Sequence, residues 1–466
     1  MKLILLSGGA GKRLWPLSND ARSKQFLKLI HNAHGEPESM VQRVWRQLAA
    51  YQWSNEAYIS TSRSHMDLLQ SQLGEDVPLI IEPDKRDTFP AIALAATYLH
   101  SCVGVEPDEV VIVMPVDSYV ETSFWGKLNE LESALLQSEA DLALIGVAPT
   151  YASTKYGYIV PKQKPEGNKS PAFYHQVASF KEKPDQNQAE ALLKKQALWN
   201  CGIFSFRLGY LLDVLKSKGI PTSYDQLLQN YLALQPISFD YEVVEKAKKV
   251  VVVPYQGYWK DLGTWNTLTE EMNVHSVGRV VWDEESSNTH VINELDIPIV
   301  SIGLSDMVIA ASLDGILIAS KEKSHRIKEM PVDWKQRPMV EEKRWGYYRV
   351  LHYRTTEEGT EVLTKALHVY ANKNLSYQLH QQRSEVWTIV AGEGEFVLND
   401  RIIRIGPGDV LEIPVGAKHA VRASKDLEII EVQLGSKLIE EDIVRLAMTW
   451  EEIMEQVRAG DEEHDQ

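Results

Sequence analysis

The sequence predicts an α/β chain in three parts: a Rossmann-like N-terminal domain with a mostly parallel sheet, a small β-rich, solenoid-like segment, and a C-terminal β-barrel. Three observations carry this. Over residues 1–260 short β-branched runs alternate with helix-period segments, the pattern of a parallel sheet covered by helices. From about Arg279 to Ile327 short apolar runs follow one another with no helix between them. From Gly346 to Gln433 only strands and turns are legible. A chain of 466 residues is long for one core, and at ~150 residues per domain it suggests about three. The resulting division is 1–275, 276–330, a linker at 331–343, and 344–466.

Taken in order, Leu3–Ser7, Ala57–Thr61, Leu79–Glu82, Val110–Pro115 and Leu142–Val147 read as buried strands. Between them, Met40, Val41, Val44, Trp45 and Leu48 fall on one helical face, and Pro90 sits at the start of a helix reaching Tyr98. Ser123–Leu136 is a further amphipathic run. In the second part Val280–Trp282, His290–Ile292, Ile299–Ile302, Met307–Ala310 and Ile316–Ala319 read as strands broken by Asp, Asn, Gly and Ser. Lys328–Lys343, charged and carrying Pro331 and Pro338, reads as the linker. Glu440–Arg458 has helical periodicity and is expected to pack back on the barrel, with an acidic, frayed end at Gly460–Gln466.

Composition narrows the function. Hydrophobic residues at 44% and charged residues at 24% are ordinary for a globular chain that buries a core. A net charge of −16 argues against nucleic acid and anionic membrane as partners. No stretch approaches the ~18 apolar residues of a membrane span. The apolar run at Met1–Leu6 is too short for a signal peptide, and two cysteines, Cys102 and Cys201, build no disulfide framework. A cytoplasmic location is expected. With so acidic a surface, any phosphate substrate needs cations concentrated locally, as Lys, Arg or a metal ion.

Residues 8–17 read GGAGKRLWPL directly after the first strand. Glycines there let backbone N–H groups turn towards a phosphate, and Lys12 and Arg13 add charge. Arg13 stands where a P-loop requires Ser or Thr. Leu14 stands where a dinucleotide fingerprint requires its third glycine, and no acidic residue ends a second strand about 20 residues on. Both common phosphate loops are excluded. A bland tight turn is the alternative for the loop taken alone.

The loop is not alone. With Ser23-Lys24-Gln25-Phe26-Leu27 it resembles the GGxGxRLxPL…K opening of the sugar nucleotidyltransferases, and the SKQFL form resembles their mannose-1-phosphate guanylyltransferase branch. Glu82-Pro83 with Arg86-Asp87-Thr88-Phe89-Pro90-Ala91 is similar to EPxxRNTxPA, and Met114–Ser118 to PxDH. Phe180–Pro184 resembles FxEKP, Trp199–Phe204 WNSGIF, and Trp259–Trp265 WxDLGxW. The matches run collinearly over about residues 1–330. Asp87 and Ser118 depart from the pattern, which has Asn and His there.

The resemblance implies transfer of GMP from GTP to mannose 1-phosphate, giving GDP-mannose and pyrophosphate. The sugar phosphate brings its own nucleophile, so the protein's task is electrostatic: align two anions and stabilise charge at phosphorus. It implies Arg13, Lys24, Asp117 and Asp261 as the catalytic set, with both aspartates on one Mg²⁺. Ser7, Gly8, Gly9, Gly11, Lys12, Arg13, Lys24, Glu82, Arg86, Thr88 and Pro90 would meet the nucleotide. Gly157, Glu182, Lys183 and Asn200 would meet the sugar phosphate. Singly, each Asp is more often a cap or turn residue. A transferase for another sugar or base, and a non-catalytic sensor of sugar nucleotides, are the rival readings.

Gln378, His380, Glu385 and Gly392 stand at QxHx4Ex6G, and Gly408, Pro414, Gly416 and His419 at Gx5PxGx2H. Together these resemble the two cupin motifs, with Gln378, His380, Glu385 and His419 as ligands of a divalent ion such as Zn²⁺. A guanylyltransferase followed by a cupin resembles the bifunctional type II phosphomannose isomerase/guanylyltransferases, which interconvert fructose 6-phosphate and mannose 6-phosphate. Val386 stands at the second histidine of that family's HRxEHW, and Ala420 and Ala423 replace Arg and Asn of its HRxxN. Arg383 and Lys418 remain as phosphate-binding candidates. Isomerase activity and a non-catalytic metal- or sugar-binding barrel both stay open, as does assembly into a homo-oligomer.

Overall fold

A computed structural model of the chain describes residues 1–9, 11–162, 173–330, 337–439 and 442–464, with side chains as far as Ala459. It divides into two compact units, one of residues 1–66, 76–311 and 316–332, the other of 67–75, 312–315 and 333–466. The first part of the expected linker, residues 331–336, lies outside the described residues, as does the very end of the acidic tail.

The first unit is built on a nine-stranded sheet in the order Leu79–Glu82, Ala57–Ser62, Lys2–Leu6, Val110–Pro115, Leu198–Arg207, Leu142–Val147, Val250–Tyr255, His175–Lys181, Gly157–Pro161. The five strands expected from sequence all run one way. Lys2–Leu6 is parallel to Ala57–Ser62 and to Val110–Pro115, and Leu79–Glu82 follows suit. Leu198–Arg207 is antiparallel to both Val110–Pro115 and Leu142–Val147, so direction is restored across it. His175–Lys181 is likewise reversed against Val250–Tyr255 and Gly157–Pro161, and the sheet is therefore mixed. All six residues of Leu142–Val147 are buried, as helices covering both faces require, which is why it reads as an unbroken apolar run.

Helices begin where the local chemistry says they should. Ser39 caps Met40–Ala50 in a capping box with Gln42. Thr88–Tyr98 is buried from Phe89 to Thr97, an all-round apolar helix at the centre of the domain's core.

The solenoid-like expectation holds as rungs of parallel strands. Ser276–Val277, His290–Asn293 and Met307–Ser312 stack in parallel, and Val280–Trp282 stacks on Ile299–Ser301. These rungs share a core with the glycine loop's continuation: Leu14, Leu17, Trp265, Leu268, Ile292, Val308 and Ala310 form one buried cluster. The boundary drawn at 275/276 thus crosses a continuous core.

The second unit is a barrel of a six-stranded and a five-stranded sheet. Two expectations need correction. Val340–Lys343, assigned to the linker on charge, is an antiparallel edge strand against Gly346–Thr355. Charged side chains are what an exposed edge uses to avoid further pairing, so edge and linker look alike in composition. The C-terminal helix spans Trp450–His464 rather than starting near Glu440, because Val444–Ala447 pairs with Tyr377–Leu379 as a strand. The helix does pack on the barrel, through Trp450, Ile453 and Val457 against Tyr377, Val397 and Ala420. No helix among the described residues is long and apolar enough to cross a membrane.

Candidate functional site

The glycine loop leaves the carboxyl end of Lys2–Leu6, and several bonds hold its shape. Ser7 donates its N–H to the Ser60 carbonyl at 2.8 Å, and the Ser7 carbonyl accepts from Gln25 Nε2 at 3.1 Å. Ser18 Oγ donates to the Gly11 carbonyl at 2.7 Å. Gly11 takes φ of 60°, and a Cβ there would lie 2.6 Å from the Lys24 backbone nitrogen, so only glycine fits. Lys12 and Arg13 follow on a single 3₁₀ turn, with Lys12 Nζ 3.6 Å from Asp20. Gly8 faces the buried Glu82, whose oxygens accept from Ser60 Oγ at 3.1 Å and Tyr231 OH at 3.0 Å. Burial raises the Glu82 pKa above the usual carboxylate value.

Asp117 and Asp261 are distant in sequence and meet through a two-stranded ribbon. Ser118–Val120 pairs antiparallel with Trp259–Asp261, which sets Asp261 opposite Ser118, the neighbour of Asp117. The second strand is anchored behind it: Thr264 caps the next helix in a capping box with Thr267, and Trp265 Nε1 donates to the Trp15 carbonyl at 3.1 Å. Both carboxylates close on one atom. Lys24 Nζ is 2.6 Å from Asp117 Oδ2 and 3.0 Å from Asp261 Oδ1. Burial opposes the charge on Lys24, but the two carboxylates outweigh it and hold its pKa above that of an ordinary lysine. Burial likewise opposes charge on Asp261, and Lys24, helped by Arg13, keeps it ionised with a lowered pKa. The structure thus unites Lys24, Asp117 and Asp261, with Arg13 within electrostatic reach.

Gly157, Glu182, Lys183 and Asn200 also converge. A Cβ on Gly157 would lie 2.4 Å from Glu182 Oε2 and 3.3 Å from Asn200 Cβ. Glu182 Oε1 pairs with Lys183 Nζ at 2.9 Å, whereas Oε2 is buried with no hydrogen-bond partner among the described residues. Such an orphaned acceptor suits a hydroxyl donor. Asn200 Nδ2 donates to Asp240 Oδ1 at 2.6 Å. Asp240 is a member of this cluster that the sequence reading missed. It lies in a short polar helix start, Phe239–Glu242, with no motif around it.

Arg86, Thr88 and Pro90 are placed differently. Arg86 Nη1 donates to the Leu234 carbonyl at 2.7 Å, Thr88 Oγ1 accepts from the Phe239 N–H at 2.8 Å, and Pro90 is buried in its helix. Their polar groups tie down the segment that carries Asp240.

Burial, and next the charge of Glu182, push the Asp240 carboxyl up to about 7. An acid whose folded pKa exceeds its unfolded value loses the protein stability as pH rises from the unfolded pKa, ~4, to the folded one. Asp240→Asn is therefore expected to raise the melting temperature at pH 8, with the gain shrinking as pH falls from 7 towards 4. Thermal melts across that range check this, and a gain independent of pH would contradict it.

In the barrel, His380, Glu385 and His419 bring one ligand atom each to within 4.8 Å of one another, all buried. Each imidazole gives Nδ1 to a backbone carbonyl, His380 to Asp442 at 2.7 Å and His419 to Ala417 at 3.1 Å. That orients Nε2 of both towards Glu385, at 3.2 Å and 3.7 Å. His419 Nε2 is buried with no hydrogen-bond partner among the described residues. Burial lowers both histidine pKa values to about 4, so both are neutral, the ligand form. The donor set fits a divalent ion. Gln378 pairs in register with His419, and its Oε1 accepts from Ser376 Oγ at 2.7 Å.

Behind His380, Glu385 and His419 stands a second rank that the sequence reading passed over. Glu385 accepts from Trp387 Nε1 at 3.1 Å and Gln433 Nε2 at 3.2 Å, and both of these also hold Glu431. Such partners orient metal ligands. Glu431 and Gln433, polar residues two apart in the apolar strand Leu427–Gly435, were the available signal. Arg383 is buried and bonded to Glu385, His380 and the Ile439 carbonyl, while Lys418 is surface-exposed and 3.6 Å from Asp400.

Residues 2–276 match the nucleotidyl transferase family, and residues 335–448 match the mannose-6-phosphate isomerase C-terminal family. The chain is 30% identical to mannose-1-phosphate guanylyltransferase of Salmonella muenchen, over 95% of this chain and 97% of that one. The chain belongs to the nucleotidyl transferase family, in its mannose-1-phosphate guanylyltransferase branch. It is also 30% identical to xanthan biosynthesis protein XanB of Xanthomonas campestris pv. campestris, over 96% of this chain and 98% of that one. A solved structure of mannose-1-phosphate geranyltransferase from Thermus thermophilus is 26% identical, covers 70% of this chain and 97% of its own, and superposes with a TM-score of 0.59.

Within this nucleotidyl transferase family, the departures from the motifs now have locations. Asp87 adopts φ of 66° and accepts from the Thr88 N–H at 2.7 Å as a helix cap. Asn and Asp share both abilities, so Asp does what Asn would do there. Ser118 is buried on the ribbon opposite Asp261. Val386 alternates with the inward Arg383, Glu385 and Trp387 and therefore points away from the ligand cluster. Ala420 packs towards Trp450 and Ile453, where an arginine would have no room.

Proposed function

We propose that the chain transfers GMP from GTP to mannose 1-phosphate. A phosphate oxygen of the sugar phosphate attacks the α-phosphorus of GTP, a new P–O bond forms, the bond to the bridging oxygen breaks, and pyrophosphate leaves. The observation that carries this reading is the convergence of Asp117 and Asp261 on Lys24 beside the glycine loop. Asp117 and Asp261 are the residues that would hold Mg²⁺, and the bound ion would neutralise phosphate charge. Arg13 and Lys12, on the turn after Gly11, face the triphosphate, and backbone N–H groups of Gly8, Gly9 and Gly11 cradle it. Glu182 Oε2 and Asn200 take sugar hydroxyls, and Lys183 takes the sugar phosphate. A matrix of nucleotides against sugar phosphates, read by pyrophosphate release, tests the assignment. Release with GTP and mannose 1-phosphate no faster than with other pairs would overturn it.

The division of labour is testable separately. Lys183→Ala is expected to raise KM for mannose 1-phosphate about tenfold or more, as loss of a charge-assisted contact does, while GTP binding stays near normal. Equal losses for both substrates would contradict it.

For the barrel, a second reading is favoured by the convergence of His380, Glu385 and His419. These residues would hold a divalent ion, Zn²⁺ or a similar one, that polarises a sugar carbonyl when bound. The reaction proposed is interconversion of fructose 6-phosphate and mannose 6-phosphate, which would supply the sugar skeleton used by the first unit. Assaying it apart from nucleotide transfer distinguishes it from a barrel that only binds.

A further inference from the structure

We propose that the Lys24 ammonium and a divalent cation compete for the Asp117–Asp261 pair, so that the carboxylates pass to a metal ion only as Lys24 turns to another anion, the nucleotide triphosphate. This rests on the reading of both aspartates as cation ligands. Lys24 Nζ lies 2.6 Å from Asp117 Oδ2 and 3.0 Å from Asp261 Oδ1, so an ion held by those two oxygens takes the space the ammonium fills. The space has little room to widen. The ribbon register sets Asp261 beside Asp117, and a Cβ on Gly263 would already lie 3.0 Å from Asp261 Oδ2 and 3.3 Å from Lys24 Nζ.

Nor does the backbone of Lys24 have freedom to retreat. Gly11 packs against its nitrogen, and the adjacent Gln25 is bonded to the Ser7 carbonyl. Exchange therefore falls to rotation of the four-carbon lysine stem, which a lysine permits and a rigid guanidinium fork would not. Electrostatics sets the direction. A divalent ion meets a pair of carboxylates half neutralised by Lys24, and removing that charge strengthens its binding. The triphosphate, being anionic, draws the ammonium away and delivers the metal in the same event. Lys24 thus links occupancy of the metal site to arrival of the nucleotide.

The test is Mn²⁺ binding to the full chain without nucleotide, in a background carrying His380→Ala and His419→Ala so that the barrel adds no site, followed by electron paramagnetic resonance titration. Lys24→Met is expected to bind Mn²⁺ about tenfold or more tightly than the same chain with Lys24 intact, and Asp261→Asn added to Lys24→Met to abolish the gain. Should Lys24→Met fail to fold, Lys24→Gln removes the charge while keeping a donor for the carboxylates. If the neutral variants bind no tighter while Asp261→Asn still weakens binding, competition is wrong and the ligand assignment stands. If Asp261→Asn changes Mn²⁺ binding in neither background, the ligand assignment itself has failed.

Discussion

Replacing Asp117 or Asp261 by alanine is expected to lower turnover ~10²-fold or more, the scale at which loss of a group that stabilises transition-state charge is felt. Both side chains reach Lys24 Nζ, Asp261 from one strand of the ribbon and Asp117 from the turn that leads into the other, so losing either leaves one carboxylate where two converge. Each substitution also leaves the half-buried Lys24 with a single carboxylate partner, so some loss of stability accompanies the loss of rate. Asp117→Asn and Asp261→Asn keep the shape and a hydrogen-bond acceptor, and separate the two effects. The measurement is pyrophosphate release at saturating substrates, with folding checked by thermal melt. Near-normal turnover at ordinary Mg²⁺ in any of these variants would remove that residue from the catalytic set.

His380→Ala with His419→Ala is expected to empty the barrel of tightly bound metal, because two of the proposed ligands vanish together and Glu385 with Gln378 alone offers only two oxygens. Guanylyl transfer is expected to survive, since its carboxylates lie in a different compact unit with its own core. Any isomerase activity is expected to disappear with the Lewis acid. Metal content per chain and both activities are to be followed in one preparation. Unchanged metal content would mean the ligands are others. Collapse of guanylyl transfer in a folded variant would mean that the two units are coupled.

The barrel also shows how far a motif can be read. Gln378, His380, Glu385 and His419 were legible because two motifs hold them at set spacings, and His380, Glu385 and His419 close into one cluster. Val386 looked like a loss at the site and is not one, because strand alternation turns it outward. Arg383, kept as a phosphate-binding candidate from the same motif, is buried and bonded to Glu385 and His380. Which way a side chain faces, which no single residue announces, separates these two positions.

The sequence by itself determined five of the nine strands of the main sheet, three helices of the first unit, the rungs of the solenoid, the glycine loop and both sets of motif residues. Those features are local: they rest on period two against period 3.6, on a residue that must take positive φ, or on spacing within a dozen positions. Tertiary structure alone decided that Leu198–Arg207 runs against its neighbours, that Val340–Lys343 is an edge strand, and that Lys24 sits between Asp117 and Asp261. It alone added Asp240 to the cluster of Gly157, Glu182 and Asn200, and Glu431 with Gln433 to the barrel cluster. Asp240 meets Asn200 across 40 positions, and Lys24 meets Asp261 across 237. Partnerships of that kind are set by strand order and register, which chain-local patterns do not encode.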